Sequence, residues 1–212
     1  MGLMYDMYKA YKTELDLNNK QITMFTRHCG SCRYVYNWGL NLKIKAFQNK
    51  EKIPSRFDLC KKLTKLKQEN KWLYDTSAIV LQNSLKCLEE AFANFYRKCK
   101  DHKIKKKGFP RFKSKHKSKG CFTYSQHVYC RKNGYIVFPK IGKVKLKQKN
   151  YFPLNCKIIY STVSRKADKW FVSILIDENI ELLPKLNNVV GLDLGIKNLA
   201  TCSNGIICKN PK

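Results

Sequence analysis

Hydrophobic and polar positions follow two different periods in the first fifty residues. Polarity alternates from residue 7 to residue 17, and a period of two predicts a β-strand. Asn18 and Gln21, three residues apart, are typical of a capping box that begins a helix. Apolar residues then recur at steps of three and four, which predicts one long amphipathic helix. Its apolar stripe consists of Ile22, Phe25, Cys29, Cys32, Tyr36, Leu40, Ile44 and Phe47.

Two more helices are predicted before residue 100. Ser55 caps the first of them, and the second begins near Thr76 or Ser77. Gly30 and Gly39 in the long helix permit either close contact with a neighbouring helix or a break. Three consecutive amphipathic helices predict a small bundle. The buried positions of the second and third helices are Leu59, Leu63, Leu66, Leu81, Leu85, Leu88, Phe92, Phe95 and Cys99.

The chain changes character between residues 97 and 119. Twelve of these residues are Lys or Arg, and only Asp101 is acidic. Such a charge run, broken by Gly108 and Pro110, predicts a loop or linker. Alternation with a period of two then returns. It predicts strands at residues 135–138, 143–147, 157–165 and 169–177, with turns at 133–134 and 166–168.

These elements place the chain in the α+β class. The first strand and residues 121–180 are expected to form an antiparallel barrel or sandwich, with the helical bundle inserted between them. Residues 182–188, which include Pro184, form a predicted linker. Residues 189–207 are expected to begin a different domain.

Charge narrows the choice of function. The chain has 43 Lys and Arg against 15 Asp and Glu, which gives a formal net charge of +28. An AT-rich genome inflates lysine content, but it does not explain why acids are scarce. Because so many like charges repel one another in a compact fold, nucleic acid is the expected partner.

The sequence argues against a membrane protein and against disulfide bonds. No stretch approaches the roughly 18 consecutive apolar residues of a membrane span, and residues 1–12 show no signal-peptide core. We therefore expect a cytoplasmic protein with no membrane partner, whose ten cysteines are reduced. Cys29 and Cys32 lie beside His28, but zinc needs four ligands and no second pair is close in sequence. Both thiols are expected to pack in the core.

The segment VVGLDLGIKNLAT, residues 189–201, carries the candidate chemistry. A buried apolar strand would present the carboxylate of Asp193, and Gly195 would leave room for a phosphate backbone. A strand and a turn at 203–205 follow. An RNase H-like sheet presents its first metal-binding carboxylate in this way. The alternative is an ordinary strand whose aspartate caps a turn.

This segment and four others resemble motifs of the TnpB (OrfB) family, the RNA-guided DNA endonucleases, also described as transposases, of bacterial insertion sequences. The other four are RYVYNW at 33–38, WLY at 72–74, GFPRFKSK at 108–115 and FPKIG at 138–142. The resemblance runs from about residue 7 to residue 205. It implies a wedge β-barrel at residues 1–17 and 119–184. A helical recognition domain with a basic C-terminal linker would occupy 18–118, and an incomplete RuvC nuclease domain would occupy 185–212.

The resemblance also implies guide RNA and target DNA as partners. On the residues themselves, Phe109 and Phe112 could stack on bases. Four lysines alternate along a predicted strand and would face a phosphate backbone: Lys140, Lys143, Lys145 and Lys147. The alternatives are a solvated linker with tucked aromatic rings and, around Arg33, an Arg-aromatic packing unit. The candidate nucleic-acid-binding residues are Arg33, Asn37, Trp72, Phe109, Arg111, Phe112, Lys113, Lys115, Lys140, Lys143, Lys197 and Asn198.

Cleavage at a RuvC site requires two magnesium ions held by several carboxylates. Asp193 is the single member of that set expected here, because the family's Glu, second Asp and Cys-x-x-Cys zinc ribbon would follow residue 212. We therefore expect an incomplete magnesium site at Asp193, no stably bound metal and binding without cleavage. The chain would be a fragment, a decayed reading frame or half of a split gene, with a missing C-terminal half as a candidate partner.

Two other classes remain open. One is a nuclease-dead DNA-binding regulator, either derived from TnpB or a helix-turn-helix factor built on residues 18–99. The other is a sugar-kinase-like or actin-like ATPase, whose phosphate loop also has the Asp-x-Gly-x-x-Asn spacing of Asp193 to Asn198. That class places the loop near the N-terminus and does not call for a preceding cationic region.

Overall fold

The computed structural model describes residues 4–101, 103–118, 120–131, 134–153, 157–181 and 189–211. The chain separates into two compact units. The larger unit, residues 6–179, contains the helices and a seven-stranded sheet. The smaller unit, residues 180–212 with residues 1–5, contains a three-stranded sheet. The finer domain boundaries expected from the sequence stay predictions, and the expected linker at 182–188 lies outside the described residues.

The three predicted helices are confirmed. Helix α1, Asn19–Gln48, begins at the expected capping box, in which Asn18 Oδ1 accepts from the Gln21 amide at 2.9 Å. Helix α2, Arg56–Glu69, follows its N-cap Ser55, and helix α3, Ala78–Lys100, begins after Ser77. A 3-10 helix, Lys71–Asp75, joins α2 to α3. None of the helices in the described part of the chain is both long and apolar enough to cross a membrane.

The two halves of α1 pack in different hydrophobic cores. Phe25 is fully buried against the sheet, and its ring centroid lies 5.4 Å from Phe122 and 5.3 Å from Trp170. Leu40, four turns further along, is fully buried among the helices. One helix therefore fixes the bundle to the sheet. The helical core consists of Val35, Tyr36, Leu40, Leu59, Leu63, Leu66, Leu73, Leu81, Leu85, Leu88 and Phe92.

Strands from both sides of the helical segment form one antiparallel sheet, as predicted. Its order is β2-β6-β7-β1-β5-β4-β3, so the first strand lies in the middle. The short strands β2 and β3 were not predicted. The strands are β1 Met4–Asp16, β2 Cys121–Tyr124, β3 Tyr129–Arg131, β4 Tyr135–Phe138, β5 Gly142–Leu146, β6 Lys157–Lys166 and β7 Lys169–Glu181.

The sheet is curled, but its hydrogen bonding does not close into the predicted barrel. Among the described residues, the edge strands β2 and β3 pair only with β6 and β4 respectively. The ring centroids of Tyr124 on β2 and Phe138 on β4 nevertheless lie 5.6 Å apart. The Tyr124 hydroxyl also donates to the Pro139 carbonyl at 2.9 Å. Side-chain packing, with Phe25 against Phe122 and Phe138, therefore brings the two ends of the sheet together.

Cys29 and Cys32 pack as expected. Cys32 is buried in the sheet core, and Cys29 lies against the same cluster. Burial raises the pKa of the Cys29 thiol to about 12, so this group stays protonated at neutral pH. The protonated thiol packs as a small apolar side chain in this setting.

The smaller unit contains β8 Leu192–Asp193, β9 Asn198–Cys202 and β10 Ile207–Lys209, all antiparallel. The predicted turn between the last two is present, and Gly205 has a φ of +86° there. Among the residues that the structure describes, β8 lies at the edge of this sheet and pairs only with β9. The expectation of a buried strand also fails, since Leu192 and Leu194 are 61% and 72% exposed. The kinship of the smaller unit with a RuvC domain stays a prediction.

Candidate nucleic-acid interface

Two adjoining depressions, of about 520 and 510 Å³, lie beside the N-terminal half of α1. Both are lined by Arg27 and Asp75, so they form one continuous surface. We name this surface the α1 groove. Its cationic and aromatic residues are Lys20, Arg27, Trp72, Tyr74 and Lys140.

Helix geometry and one turn bring the three cations together. Lys20 and Arg27 are seven residues apart, which places them on the same face of α1 two turns from each other. Lys140 arrives from the turn between β4 and β5, where it has a left-handed φ of +68°. All three side chains are exposed, so they are accessible to a polyanion.

The 3-10 helix supplies the aromatic wall of the groove. Leu73 points into the helical core and is fully buried, which leaves its neighbours Trp72 and Tyr74 facing outwards. These two rings are 46% and 47% exposed. Trp72 packs edge-to-face on Tyr34 at 5.1 Å, and the Lys67 ammonium lies 4.3 Å from the centroid of Tyr74. Exposed rings beside cations are the features with which proteins bind single-stranded nucleic acid.

The electrostatic balance of the groove is positive. Asp75 is the one acid in its lining, against three cations. His28 also borders the groove, but burial lowers the pKa of its ring, so the imidazole is neutral at pH 7. Its Nδ1 lies 2.8 Å from the Met24 carbonyl, to which the neutral ring donates. The groove therefore attracts phosphate through Lys20, Arg27 and Lys140.

The sequence-predicted residues are divided between the groove and other places. Trp72 and Lys140 line the groove. Arg33 lies beside it, because its Nη2 is 4.0 Å from the position that a Cβ on the groove residue Gly30 would occupy. Arg111, Phe112 and Lys115 are exposed on the basic loop.

Asn37 and Lys113 hold the basic loop on the bundle. Asn37 Nδ2 donates to the Lys113 carbonyl at 2.9 Å, and the Lys113 amide donates to Asn37 Oδ1 at 2.8 Å. The Lys113 ammonium lies 3.9 Å from the centroid of Tyr36. The loop is thus docked rather than a free linker. Phe109 is also docked, since it packs edge-to-face on Phe92 and Phe95.

The lysines on β5 and directly after it are less available to a ligand than their alternation suggests. Lys145 and Lys147 pair with Asp16 and Glu14 on β1, at 2.8 and 2.9 Å. Hydrogen bonds from these lysines lower the pKa of both carboxyl groups, so Asp16 and Glu14 stay ionised at neutral pH. Lys143 lacks such a carboxylate in the described structure, and its ammonium lies 3.9 Å from the centroid of Tyr135.

The remaining candidates lie in the smaller unit. Asp193 is exposed on β8, where it pairs in register with Thr201. Lys197 is exposed, and Asn198 begins β9 and is half-buried. The Asn198 carbonyl oxygen is 3.2 Å from the position a Cβ on Gly195 would take, so Gly195 permits a close backbone approach within this unit.

Lys20, Arg27 and Tyr74 were missed by the sequence analysis. Their signal was a second series on α1, in which Lys20, Thr23, Arg27 and Gly30 recur at steps of three and four. Such a series of polar and small residues is usually read as a solvated face, and the fold is needed to show that it faces Tyr74.

Replacing Asn37 with Ala is expected to release the basic loop. Two hydrogen bonds worth about 1 kcal/mol each are lost, so the Lys113 amide should exchange its hydrogen on the order of tenfold faster or more. Hydrogen exchange of peptides covering residues 109–115 measures this. Asn94→Ala on α3 is the matched control, because Asn94 bonds only to Arg97 among the described contacts. Equal exchange in both variants would show that the clamp does not hold the loop.

Comparison with known proteins gives the relatives of this chain. A family profile described as a helix-turn-helix domain matches residues 4–52. The chain is 30% identical over 214 residues to a protein of Streptomyces pristinaespiralis named "Putative RNA-guided DNA endonuclease", covering 99% of this chain and 52% of that protein. It is 31% identical over 203 residues to "Putative RNA-guided DNA endonuclease InsQ" of Escherichia coli K12, covering 94% of this chain and 48% of that protein.

The chain belongs to the TnpB (OrfB) family. This assignment rests on similarity along nearly the whole length of the chain rather than on any single motif. The TnpB-family chain spans about half the length of the curated relatives it matches. Over residues 4–52, which the helix-turn-helix profile matches, its structure consists of strand β1 and the single uninterrupted helix α1.

Proposed function

We propose that this chain is the nucleic-acid-binding part of an RNA-guided DNA endonuclease, and that it binds guide RNA and target DNA. The observation that carries the proposal is the α1 groove, in which Lys20, Arg27 and Lys140 face the exposed rings of Trp72 and Tyr74. The names of the two relatives support RNA and DNA as the ligands.

Each part of the groove has a distinct task in this proposal. The three cations neutralise phosphates and release the counterions bound to them, which supplies affinity without regard to sequence. Trp72 and Tyr74 offer ring faces to unstacked bases of a single strand. Arg33, beside Gly30, extends the cationic surface along α1. The exposed loop residues Arg111 and Lys115 add further phosphate contacts.

Cleavage is not part of the function proposed for this chain. In the described residues, no three His, Cys, Asp or Glu side chains are grouped so as to hold a metal ion. The exposed carboxylate of Asp193 alone does not fit the site of two magnesium ions that phosphodiester hydrolysis uses. We propose that Asp193 would hold magnesium only together with carboxylates supplied from elsewhere, and that Lys197 and Asn198 beside it contact nucleic acid.

Salt-dependent binding tests the proposal. Fluorescence anisotropy of a labelled single-stranded RNA is expected to show that log affinity falls linearly with log salt between about 50 and 200 mM. The slope should be about −2 or steeper, because at least three groove cations displace counterions. Incubation of the same complex with duplex DNA and Mg²⁺ is expected to yield no cleaved strands.

Three outcomes would contradict the proposal in different ways. RNA affinity that does not change with salt would remove the electrostatic basis of the groove. Preference for duplex DNA over RNA would favour the DNA-binding regulator. Cleavage that requires Mg²⁺ would show that the chain acts as a nuclease, and Asp193→Ala would then test whether that carboxylate takes part.

A further inference from the structure

An apolar cleft of about 480 Å³ lies at the C-terminal end of α1, away from the groove. Arg27 in the groove and Ile44 in the cleft are seventeen residues apart, which is about 25 Å along a helix. The lining is almost wholly apolar, and Phe47 at its edge is 73% exposed. We name this feature the Phe47 cleft. Its rings are Phe47, Phe92, Phe95, Tyr96 and Phe109.

The rings form a preassembled wall. Phe109 meets Phe92 and Phe95 edge-to-face, with centroids 5.6 and 5.2 Å away and interplanar angles of 89° and 82°. Tyr96 contacts both Phe92 and Phe95, at 6.0 and 5.4 Å. Gly108 has a φ of +72°, a conformation that glycine adopts readily, and this turn directs Phe109 onto α3. Four of the five rings are therefore already held in contact with one another.

Cations surround this apolar surface. The Lys98 ammonium is 4.0 Å from where a Cβ on Gly108 would lie. Lys107 donates to the carbonyls of Lys98 and Asp101, which brings the basic segment back to the end of α3. Lys43 lies in the cleft lining, with its ammonium 5.2 Å from the Phe92 centroid and paired with Glu89 at 3.1 Å. A ligand that used both the rings and the neighbouring cations would combine a flat apolar group with negative charge.

We propose that the Phe47 cleft receives an unstacked base of a single-stranded nucleic acid, with the adjoining phosphates on Lys98 and Lys107. A base needs ring faces and tolerates a lining with few polar groups, whereas a docked peptide strand needs partners for its backbone amides. Charge complementarity selects the same occupant. The inference rests on the proposed function, and adds to the groove a second, base-dependent contact at the other end of the bundle.

The test compares two single strands with the full chain. One is oligothymidine of about twelve nucleotides, and the other has the same phosphates with every base replaced by an abasic tetrahydrofuran unit. Phe47→Ala is expected to weaken oligothymidine binding about tenfold and to leave abasic binding unchanged. Phe57→Ala is the matched control, since Phe57 is 68% exposed on α2 outside the cleft and should change neither affinity.

A second measurement does not depend on any substitution. Photocrosslinking of 5-iododeoxyuridine strands to the unaltered chain is expected to label peptides that contain Phe47, Tyr96 or Phe109. Equal affinities of the two alanine variants for oligothymidine, or crosslinks confined to other peptides, would show that the Phe47 cleft does not bind a base. Either result would leave the proposed function intact. Failure of the unaltered chain to bind either strand would overturn the proposed function itself.

Discussion

Reversal of the three groove cations is expected to weaken single-stranded RNA binding by on the order of a hundredfold at low salt. In the variant Lys20→Glu, Arg27→Glu, Lys140→Glu, each change removes a phosphate contact and places a carboxylate against the polyanion. The salt slope should also become shallower by about 2. Because the three side chains are exposed and belong to no described ion pair, the free energy of unfolding should change little. Anisotropy titrations at several salt concentrations, with circular dichroism for the fold, measure both effects.

The control must alter net charge equally without touching the groove. Lys61→Glu, Lys62→Glu and Lys65→Glu lie on the exposed face of α2 and make the same change in charge. These changes should act only through the overall electrostatic potential of the protein. RNA affinity should therefore fall less than about tenfold at low salt, and the slope of log affinity against log salt should stay nearly unchanged. Equal losses in the two triple variants would show that net charge binds RNA and that the groove has no special part.

The helices were predictable because their signals are local. Asn18 and Gln21, and Ser55 and Asp58, are pairs three residues apart that form their capping boxes within a single turn. The predicted apolar stripe of α1 is buried at its centre and exposed at both ends, at Ile22 and Phe47. Phe47 continues the helical period but is exposed, because α1 extends past the core and its last turn borders a cleft.

The groove was not predictable in the same way, because its parts are distant in sequence. Lys140 joins Lys20 only through the turn after β4, and Asn37 meets Lys113 across 76 positions. Tertiary contacts also decide which lysines are free to bind phosphate. Lys145 and Lys147 are both exposed, but carboxylates on β1 form ion pairs with them. Sequence patterns indicated the kinds of residue involved, and the fold decided which of them are available to a ligand.

The sheet shows the limit of period-two patterns. β2 and β3 have four and three residues, too few for alternation to stand out. Closure of a sheet into a barrel depends on hydrogen bonds between its two edge strands. A local sequence pattern does not predict these bonds. Here Tyr124 and Phe138 contact each other in place of a ladder.

Replacing Gly39 with Val is expected to lower the free energy of unfolding by about 3 kcal/mol. A Cβ at this position would lie 2.9 Å from Leu85 Cδ2, 3.0 Å from Leu88 Cδ2 and 3.4 Å from Leu59 Cδ1. These three leucines are fully buried, so their methyl groups have little space into which to retreat. The thermal midpoint should fall by roughly 6–12 °C. Urea unfolding followed by circular dichroism gives the free energy directly.

Gly30→Ala in the same helix is expected to raise the free energy of unfolding, the opposite of the effect of Gly39→Val. The nearest atom to a Cβ there is Arg33 Nη2, at 4.0 Å, so the methyl group enters open space. Alanine also stabilises a helix interior by up to about 1 kcal/mol relative to glycine. Two glycines on one helix should therefore respond oppositely, because Gly39 alone lies against α2 and α3. If Gly39→Val were as stable as the unaltered chain, α1 could not approach these helices as closely as described, and the packing that positions Lys20 and Arg27 beside the 3-10 helix would have to be reconsidered.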